Sequence, residues 1–164
     1  MAKKFVRVDD RLIHGQTIIA WCPTLNVRQI IAVDDEVAAN PMLKSIMEMG
    51  IPAGYTAKVV STADAKAVLE GDSADNQLII VRTPEALAAL GDSVNGVEEI
   101  VLGNLAKRDG AVHKLGGGTG IFYLSDPDVA ALDAIAEQAV PISFQQVPSS
   151  TKTTWDSFKK TIGS

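Results

Sequence analysis

His14 stands in the stretch "VDDRLIHGQT", with Asp9, Asp10, Arg11, Gly15 and Gln16 within a few residues of it. An imidazole is a nucleophile at neutral pH when one ring nitrogen gives its proton to an acceptor and leaves the other with a lone pair. Asp9 or Asp10 is placed to be that acceptor. Arg11 brings a planar, permanently charged fork suited to phosphate oxygens. The apolar run that follows, "TIIAWC", puts His14 at a helix start. There the backbone N–H groups of Gly15, Gln16 and Thr17 point outward and, with the helix dipole, favour an anion. Gly15 also lets a ligand come close to the main chain. A nucleophile, a cation, backbone donors and an orienting carboxylate are what phosphoryl transfer asks for, since it rests on positioning and charge stabilisation. An inert loop histidine beside an Arg11–aspartate surface pair has the same spacing, so spacing alone does not decide.

The surrounding elements must hold these residues in place. Lys4 to Val8 reads as a strand, and Gln16 to Cys22 as a helix stopped before Pro23. Gln29 to Val33 is a second strand. "ANPMLKSIMEMG" is a helix with Asn40 as cap, Pro41 at its first position and Gly50 as stop. "GYTAKVVS" is a third strand, followed by a helix capped by Ser61 or Thr62. "NQLIIVR" is a fourth strand, and "TPEALAALG" a helix capped by Thr83. "EEIVLG" is a fifth, the span from Asn104 to Gly120 is irregular, and "GIFYLS" is a short strand. A helix with a Ser125–Asp128 capping box, a late strand "PISFQQVP" and a short helix "TWDSFKKT" complete the order.

Strand and helix alternate almost throughout. That predicts an α/β protein: one domain over residues 1–164, an open, mostly parallel doubly wound sheet with helices on both faces. In such sheets ligands sit outside the C-terminal ends of the strands, and "DDRLIHGQ" leaves the C-terminal end of the first. A fourth strand beside the first would bring Arg82 and Thr83 onto the same crevice, near Arg7. A surface arginine capping a strand end is the plainer reading of Arg7 and of Arg82.

Composition removes several classes. A formal net charge of -5 and a pI of about 4.9 argue against nucleic acid as a partner. No apolar run approaches the ~18 residues of a membrane helix, and "MAKKFVRVDD" lacks the apolar core of a secretory signal. With one cysteine, Cys22, no intrachain disulfide forms, which suits a reducing, cytoplasmic setting. Cys22 sits in "IIAWC" and reads as a buried structural thiol. "KLGGGTGIFY" lacks the Lys-Ser/Thr of a phosphate loop after its last glycine and precedes a strand, so Gly116 to Gly120 reads as a surface loop. His113 reads as a solvated loop histidine, and Trp21 and Trp155 as packing residues. No turn or helical spacing unites His14 with Asp9, Asp10, Asp34 and Asp35 as metal ligands, so no metal is expected.

"VRVDDRLIHGQT" resembles the active-site motif of the IIB component of the mannose/fructose/sorbose family of the bacterial sugar phosphotransferase system. "VDDEVAANPMLKSIMEMGIP", "EEIVLGNL" and "QQVPSST" are similar, in the right order, to later segments of that family. Thr17 stands where an aliphatic residue is usual, and "AKRDGAVHKLGGGTG" is richer in glycine than the family pattern. The resemblance implies a phosphocarrier in which His14 accepts a phosphoryl group from a IIA phosphohistidine and passes it to a sugar. It implies that the nitrogen nearer the backbone, Nδ1, is the one that works. Arg11, Gly15, Gln16 and Thr83 would bind the phosphoryl group, with Arg7, Asp9 and Asp10 in support. No cofactor is expected beyond the transient phosphohistidine. The implied partners are a IIA domain or protein, membrane components IIC and IID, and the sugar, with the chain attached peripherally to the inner membrane face through the permease. A homo-oligomer is compatible with the sequence. The alternative is a non-catalytic small-ligand or nucleotide-binding module on the same sheet.

Overall fold

The computed structural model describes residues 2–15, 17–115 and 121–162. Among them a seven-stranded sheet runs in the order β3-β2-β4-β1-β5-β8-β9. Its strands are β1 (Lys4–Asp9), β2 (Gln29–Val33), β3 (Thr56–Val60), β4 (Gln77–Val81), β5 (Ile100–Asn104), β8 (Ile142–Phe144) and β9 (Thr153–Thr154). All pairings are parallel except β8 with β9. A separate two-stranded antiparallel ribbon joins β6 (His113–Lys114) to β7 (Tyr123–Leu124). β4 and β5 flank β1, so the fourth strand does lie beside the first, and the loop after β1 opens between two neighbours.

Side chains alternate across the strands, and the two faces bury separate clusters. Val6, Val8, Ile79, Val81, Ile100 and Leu102 pack under Leu69 of α4 (Thr62–Glu70), Leu87 of α5 (Pro84–Ala88), Leu132 of α6 (Asp126–Ala136) and Phe158 of α7 (Trp155–Ile162). On the other face Ile30, Ala32, Leu78 and Ile80 meet Leu12, Ile18, Cys22 and Val37. Helices therefore cover both faces. Trp155 stacks on Phe144 with 6.1 Å between ring centroids, a packing role as expected.

The capping signals place most helix starts. Asn40 Oδ1 accepts from the N–H groups of Met42 and Leu43 ahead of α3 (Pro41–Met49), and Thr83 Oγ1 accepts from Ala86 ahead of α5. Ser61, not Thr62, caps α4, and Ser125 with Asp128 closes the expected capping box on α6. Several elements differ from the sequence reading, among them the ribbon strand β6 inside the span read as irregular and the short edge strand β9. The first helix does not stop before Pro23: a π-helix, Thr17–Trp21, runs into an α-helical turn, α1 (Cys22–Leu25). Pro23 sits at the start of that turn, where its missing N–H leaves nothing unpaired, and Asn26 ends it at φ 54°. A short helix α2 (Asp35–Ala38), capped by the Asp34 side chain, precedes α3 and was not expected. The strand read over Gly120–Ser125 is two residues long, with Phe122 bridging to Leu105. The glycine run 116–120 lies outside the described residues.

Candidate functional site

The site is built on a break in the sheet. β1 pairs with β5 as Val8 with Leu102 and then Asp9 with Asn104, so Gly103 is an extra residue on β5. A β-carbon at Gly103 would overlap the Arg7 guanidinium. The bulge thus makes room for a buried arginine beneath the loop. Arg7 is 2% exposed, not the surface cap that the plainer sequence reading allowed. Its Nη2 donates to the Gln146 carbonyl at 2.8 Å, its Nε to Asp9 Oδ2 at 3.3 Å, and its guanidinium lies 5.2 Å from the centre of the Trp21 ring. Trp21 Nε1 donates to the same Gln146 carbonyl at 2.8 Å. Burial lowers the Arg7 pKa to about 10, against the opposing pull of Asp9.

Asp9 is the hub. It is fully buried, and it accepts from Arg11 three times: backbone N–H at 3.0 Å, Nε at 3.0 Å and Nη2 at 2.9 Å. His14 Nε2 lies 3.2 Å from Asp9 Oδ2. Burial pushes the Asp9 carboxyl up. Hydrogen bonds from His14 and Arg11, with the Arg7 charge, outweigh that and hold it well below the usual carboxylate range. Asp9 is thus an anion that can only accept, so Nε2 faces it as an N–H and the neutral ring keeps its lone pair at Nδ1. Nδ1 makes no hydrogen bond to a described residue.

The turn that carries these groups is strained at one point. Leu12 has φ 55°, a left-handed conformation that costs an ordinary residue ~1–2 kcal/mol. Its N–H donates to the Asp9 carbonyl at 3.0 Å, and its side chain is fully buried in the smaller cluster. Burying a leucine contributes ~1.5–3 kcal/mol, enough to hold that turn.

Asp10 does not orient His14. It points the other way and accepts from Asn104 Nδ2 at 2.7 Å and from the Ala106 N–H at 2.8 Å. Successive residues at a strand end project to opposite sides, so one carboxylate faces the histidine and the next ties down the loop after β5. Arg82 Nη1 donates to the Asp10 carbonyl at 2.8 Å, and its Nε pairs with Asp34 Oδ2 at 2.5 Å.

A crevice of about 480 Å³ opens over His14, Gly15 and Arg82, with Leu43, Ile46 and Met47 of α3 along its far wall. His14 and Arg82 thus share one crevice, as the strand order implied. At Gly15 no atom beyond its chain neighbours and its own helical turn stands within 4 Å of where a β-carbon would be, which leaves the main chain open to a ligand. Of the other expected phosphate binders, Arg11 has two of its side-chain nitrogens on Asp9, leaving Nη1 without a bond to a described residue. Thr83 serves as the α5 cap and does not line the crevice. Gln16 lies outside the described residues. Cys22 is buried, and burial raises its thiol pKa to about 11, which keeps it protonated and inert. His113 is in β6, not a free loop, and its Nε2 lies 2.6 Å from Asp126 Oδ1.

Three groups escaped the sequence reading. Gly103 was an ordinary strand glycine in "EEIVLG". Thr17, expected to offer its backbone N–H, brings its side chain: Oγ1 is 2.7 Å from His14 Nε2. The apolar residues Met42, Leu43, Ile46 and Met49 of α3 are all exposed, beside and within the crevice. Among them the i, i+4 spacing of Met42 and Ile46 was a readable signal of a common face.

A family model described as "PTS system sorbose subfamily IIB component" matches residues 3–163. The chain is 26% identical over 148 residues to the mannose-specific EIIAB component of Escherichia coli, covering 89% of this chain and 45% of that one. It therefore spans about half the length of that relative. Against the N-acetylgalactosamine-specific phosphotransferase enzyme IIB component 1 of Escherichia coli it is 28% identical over 151 residues, covering 89% of this chain and 91% of that one. The crystal structure of the IIBSor domain of the sorbose permease from Klebsiella pneumoniae superimposes with a TM-score of 0.83 at 23% identity, over 98% of each chain, and so shares the fold. With a buried carboxylate turning a histidine toward the crevice at the end of β1, and with a family match over nearly its whole length, the chain belongs to the sorbose subfamily of phosphotransferase-system IIB components.

Proposed function

We propose that this chain is a phosphocarrier: Nδ1 of His14 takes a phosphoryl group from a phosphohistidine of a IIA partner and hands it to a sugar entering through membrane components of the same permease. The observation that carries this reading is the hold on the ring. Nε2 is engaged by the buried Asp9 anion, which leaves Nδ1 as the ring nitrogen with a free lone pair on a histidine that lines the open crevice. In the first transfer an N–P bond forms at Nδ1 as the N–P bond of the donor imidazole breaks, and each ring keeps the proton on its other nitrogen. In the second, the N–P electrons return to Nδ1, a sugar oxygen takes the phosphorus, and the hydroxyl proton leaves to solvent or to a base of the acceptor. The Gly15 main chain and Arg82, which line the crevice with His14, are on this reading the groups that meet the phosphoryl oxygens, and Arg11, outside the crevice lining, keeps Nη1 without a partner among the described residues. No dissociable cofactor takes part.

The exposed apolar face of α3 fits the same reading. A group passed between two protein histidines needs a partner surface that closes over the crevice and excludes water. Met42, Ile46 and Met49, with exposures of 71%, 64% and 79%, supply apolar area for that contact. The relatives are named for mannose, N-acetylgalactosamine and sorbose, so one frame serves several sugars, and we place the choice of sugar in the membrane components. On this reading the protein works in the cytoplasm, at the inner membrane face. No helix among the described residues is long and apolar enough to cross a membrane.

The test is mass spectrometry after incubation with phosphoenolpyruvate and the general and IIA phosphocarriers. The expected result is the gain of one phosphoryl group, acid-labile and base-stable, located on His14. His14→Ala is expected to fold normally and gain none. Phosphorylation of that variant would end the proposal.

A further inference from the structure

We infer that Thr17 is a positioning residue for His14: its hydroxyl shares the Nε2 proton with Asp9 and thereby fixes the ring with Nδ1 toward the crevice. This rests on the reading of His14 as the phosphoryl acceptor. Thr17 follows His14 by three residues, the spacing that brings side chains together on a helical turn. It is 1% exposed, so its hydroxyl has no water to turn to. A helical threonine ordinarily bonds back to a carbonyl one turn earlier. Here Oγ1 has His14 Nε2, at 2.7 Å, as its hydrogen-bond partner among the described residues.

The need for a second partner follows from the crowding at Asp9. Oδ2, the oxygen nearest Nε2, also takes Arg7 Nε at 3.3 Å and Arg11 Nη2 at 2.9 Å. The Nε2 contact, at 3.2 Å, is longer than the Arg11 one. An oxygen shared by two guanidinium groups holds a third donor loosely. The Thr17 oxygen is half an ångström closer to Nε2 than the carboxylate is, and it comes from the helix that follows the histidine. The two acceptors approach Nε2 from different elements, so together they set both the tautomer and the ring plane. A valine would fill the same volume without the oxygen. The ring would keep its single long contact to Asp9 and gain freedom to turn Nδ1 away.

Ring-labelled nitrogen NMR of the unphosphorylated protein reads the tautomer directly, and rapid-quench phosphorylation by a IIA donor reads the rate. Thr17→Val is expected to lower the share of the Nε2–H tautomer and to slow phosphoryl acceptance about three- to tenfold, as the loss of one neutral hydrogen bond implies. Thr17→Ser, which keeps the oxygen and loses the methyl group, is expected to restore both. A wild-type tautomer and rate in Thr17→Val would overturn the inference, as would a Thr17→Ser variant that behaves like Thr17→Val. If Thr17→Val does not fold, the Thr17→Ser tautomer decides: a changed one refutes the role, an unchanged one with wild-type rate supports it. Failure of the acceptor reading itself looks different. The wild-type protein would then gain no phosphoryl group on His14, whereas the tautomer measurement needs no phosphorylation.

Discussion

Gly103→Ala adds one carbon, yet it strikes the floor of the site. The φ of Gly103 lies outside the left-handed range, so the backbone accepts alanine and space alone resists it. The new methyl group would overlap the Arg7 guanidinium. A free arginine end would swing aside at little cost. This one is tied to Asp9, to the Gln145 and Gln146 carbonyls and to the face of Trp21, and it is 2% exposed. Moving it leaves a buried charge badly paired on both sides, a disruption of ~3–5 kcal/mol. For a chain of this size each kcal/mol shifts the melting temperature by about 2–4 °C, so a fall of roughly 6–20 °C is expected. Thermal unfolding followed by circular dichroism measures it. The double variant Gly103→Ala/Arg7→Met relieves the overlap, and its loss should be smaller than the sum of the two single losses by ~0.5–3 kcal/mol, the range for residues in contact. A Gly103→Ala melting temperature within about 2 °C of wild type, or strict additivity in the cycle, would refute the claim that the bulge exists to seat Arg7.

Asp9 has its carboxyl held below the usual range, so the stability it confers is present above about pH 4 and is lost as pH falls through that region and below. Asp9→Asn should flatten the fall in urea midpoint below about pH 4, and an undiminished acid slope would assign it to other carboxylates. Arg11→Lys keeps the charge but cannot span Asp9 with two nitrogens at 3.0 and 2.9 Å. Losing one charge-assisted bond of ~1.5–3 kcal/mol should slow transfer by about one to two decades, with little change in fold, as read by quench kinetics and circular dichroism. Cys22, with its thiol raised to about 11, should resist alkylation at neutral pH until the protein unfolds. Its neutral form is favoured by burial, so that contribution to stability persists below the ordinary thiol range and fades as pH climbs toward the raised value. Rapid labelling of the native protein would contradict its burial.

The frame was readable because its signals are local: capping residues, apolar strands and the alternation that implies crossovers. One adjacency, the fourth strand beside the first, could be raised from how crossovers reverse; the rest of the order was not legible. The details of the site were harder, since they depend on a partner strand far away in sequence. Nothing in "VDDR" says which aspartate faces His14. That is settled where β5 inserts Gly103 and shifts its pairing between Val8 and Asp9. One signal was present: Arg7 and Asp9 are two residues apart on a strand and must share a face. Another was the spacing of Thr17 from His14. The π-helix had no such local mark, and α2 had one that was missed, an aspartate cap at Asp34.

The pairing of the charges suits a carrier better than a trap. Unpaired arginines in a crevice would hold a doubly charged phosphoryl group firmly and resist giving it up. Here each arginine already has a carboxylate: Arg7 and Arg11 share Asp9, and Arg82 has Asp34. On the proposed reading, what remains for the incoming group is the Gly15 main chain and the side-chain nitrogens of Arg82 and Arg11 that these partners leave open. Such contacts would orient the phosphoryl group while leaving its binding shallow, which would keep the free energy of the N–P bond for the next acceptor. The same carboxylates also fix the geometry, since the oxygen that neutralises Arg11 is the one that turns the His14 ring. On the proposed reading one buried aspartate sets both how well the group is aimed and how loosely it is held.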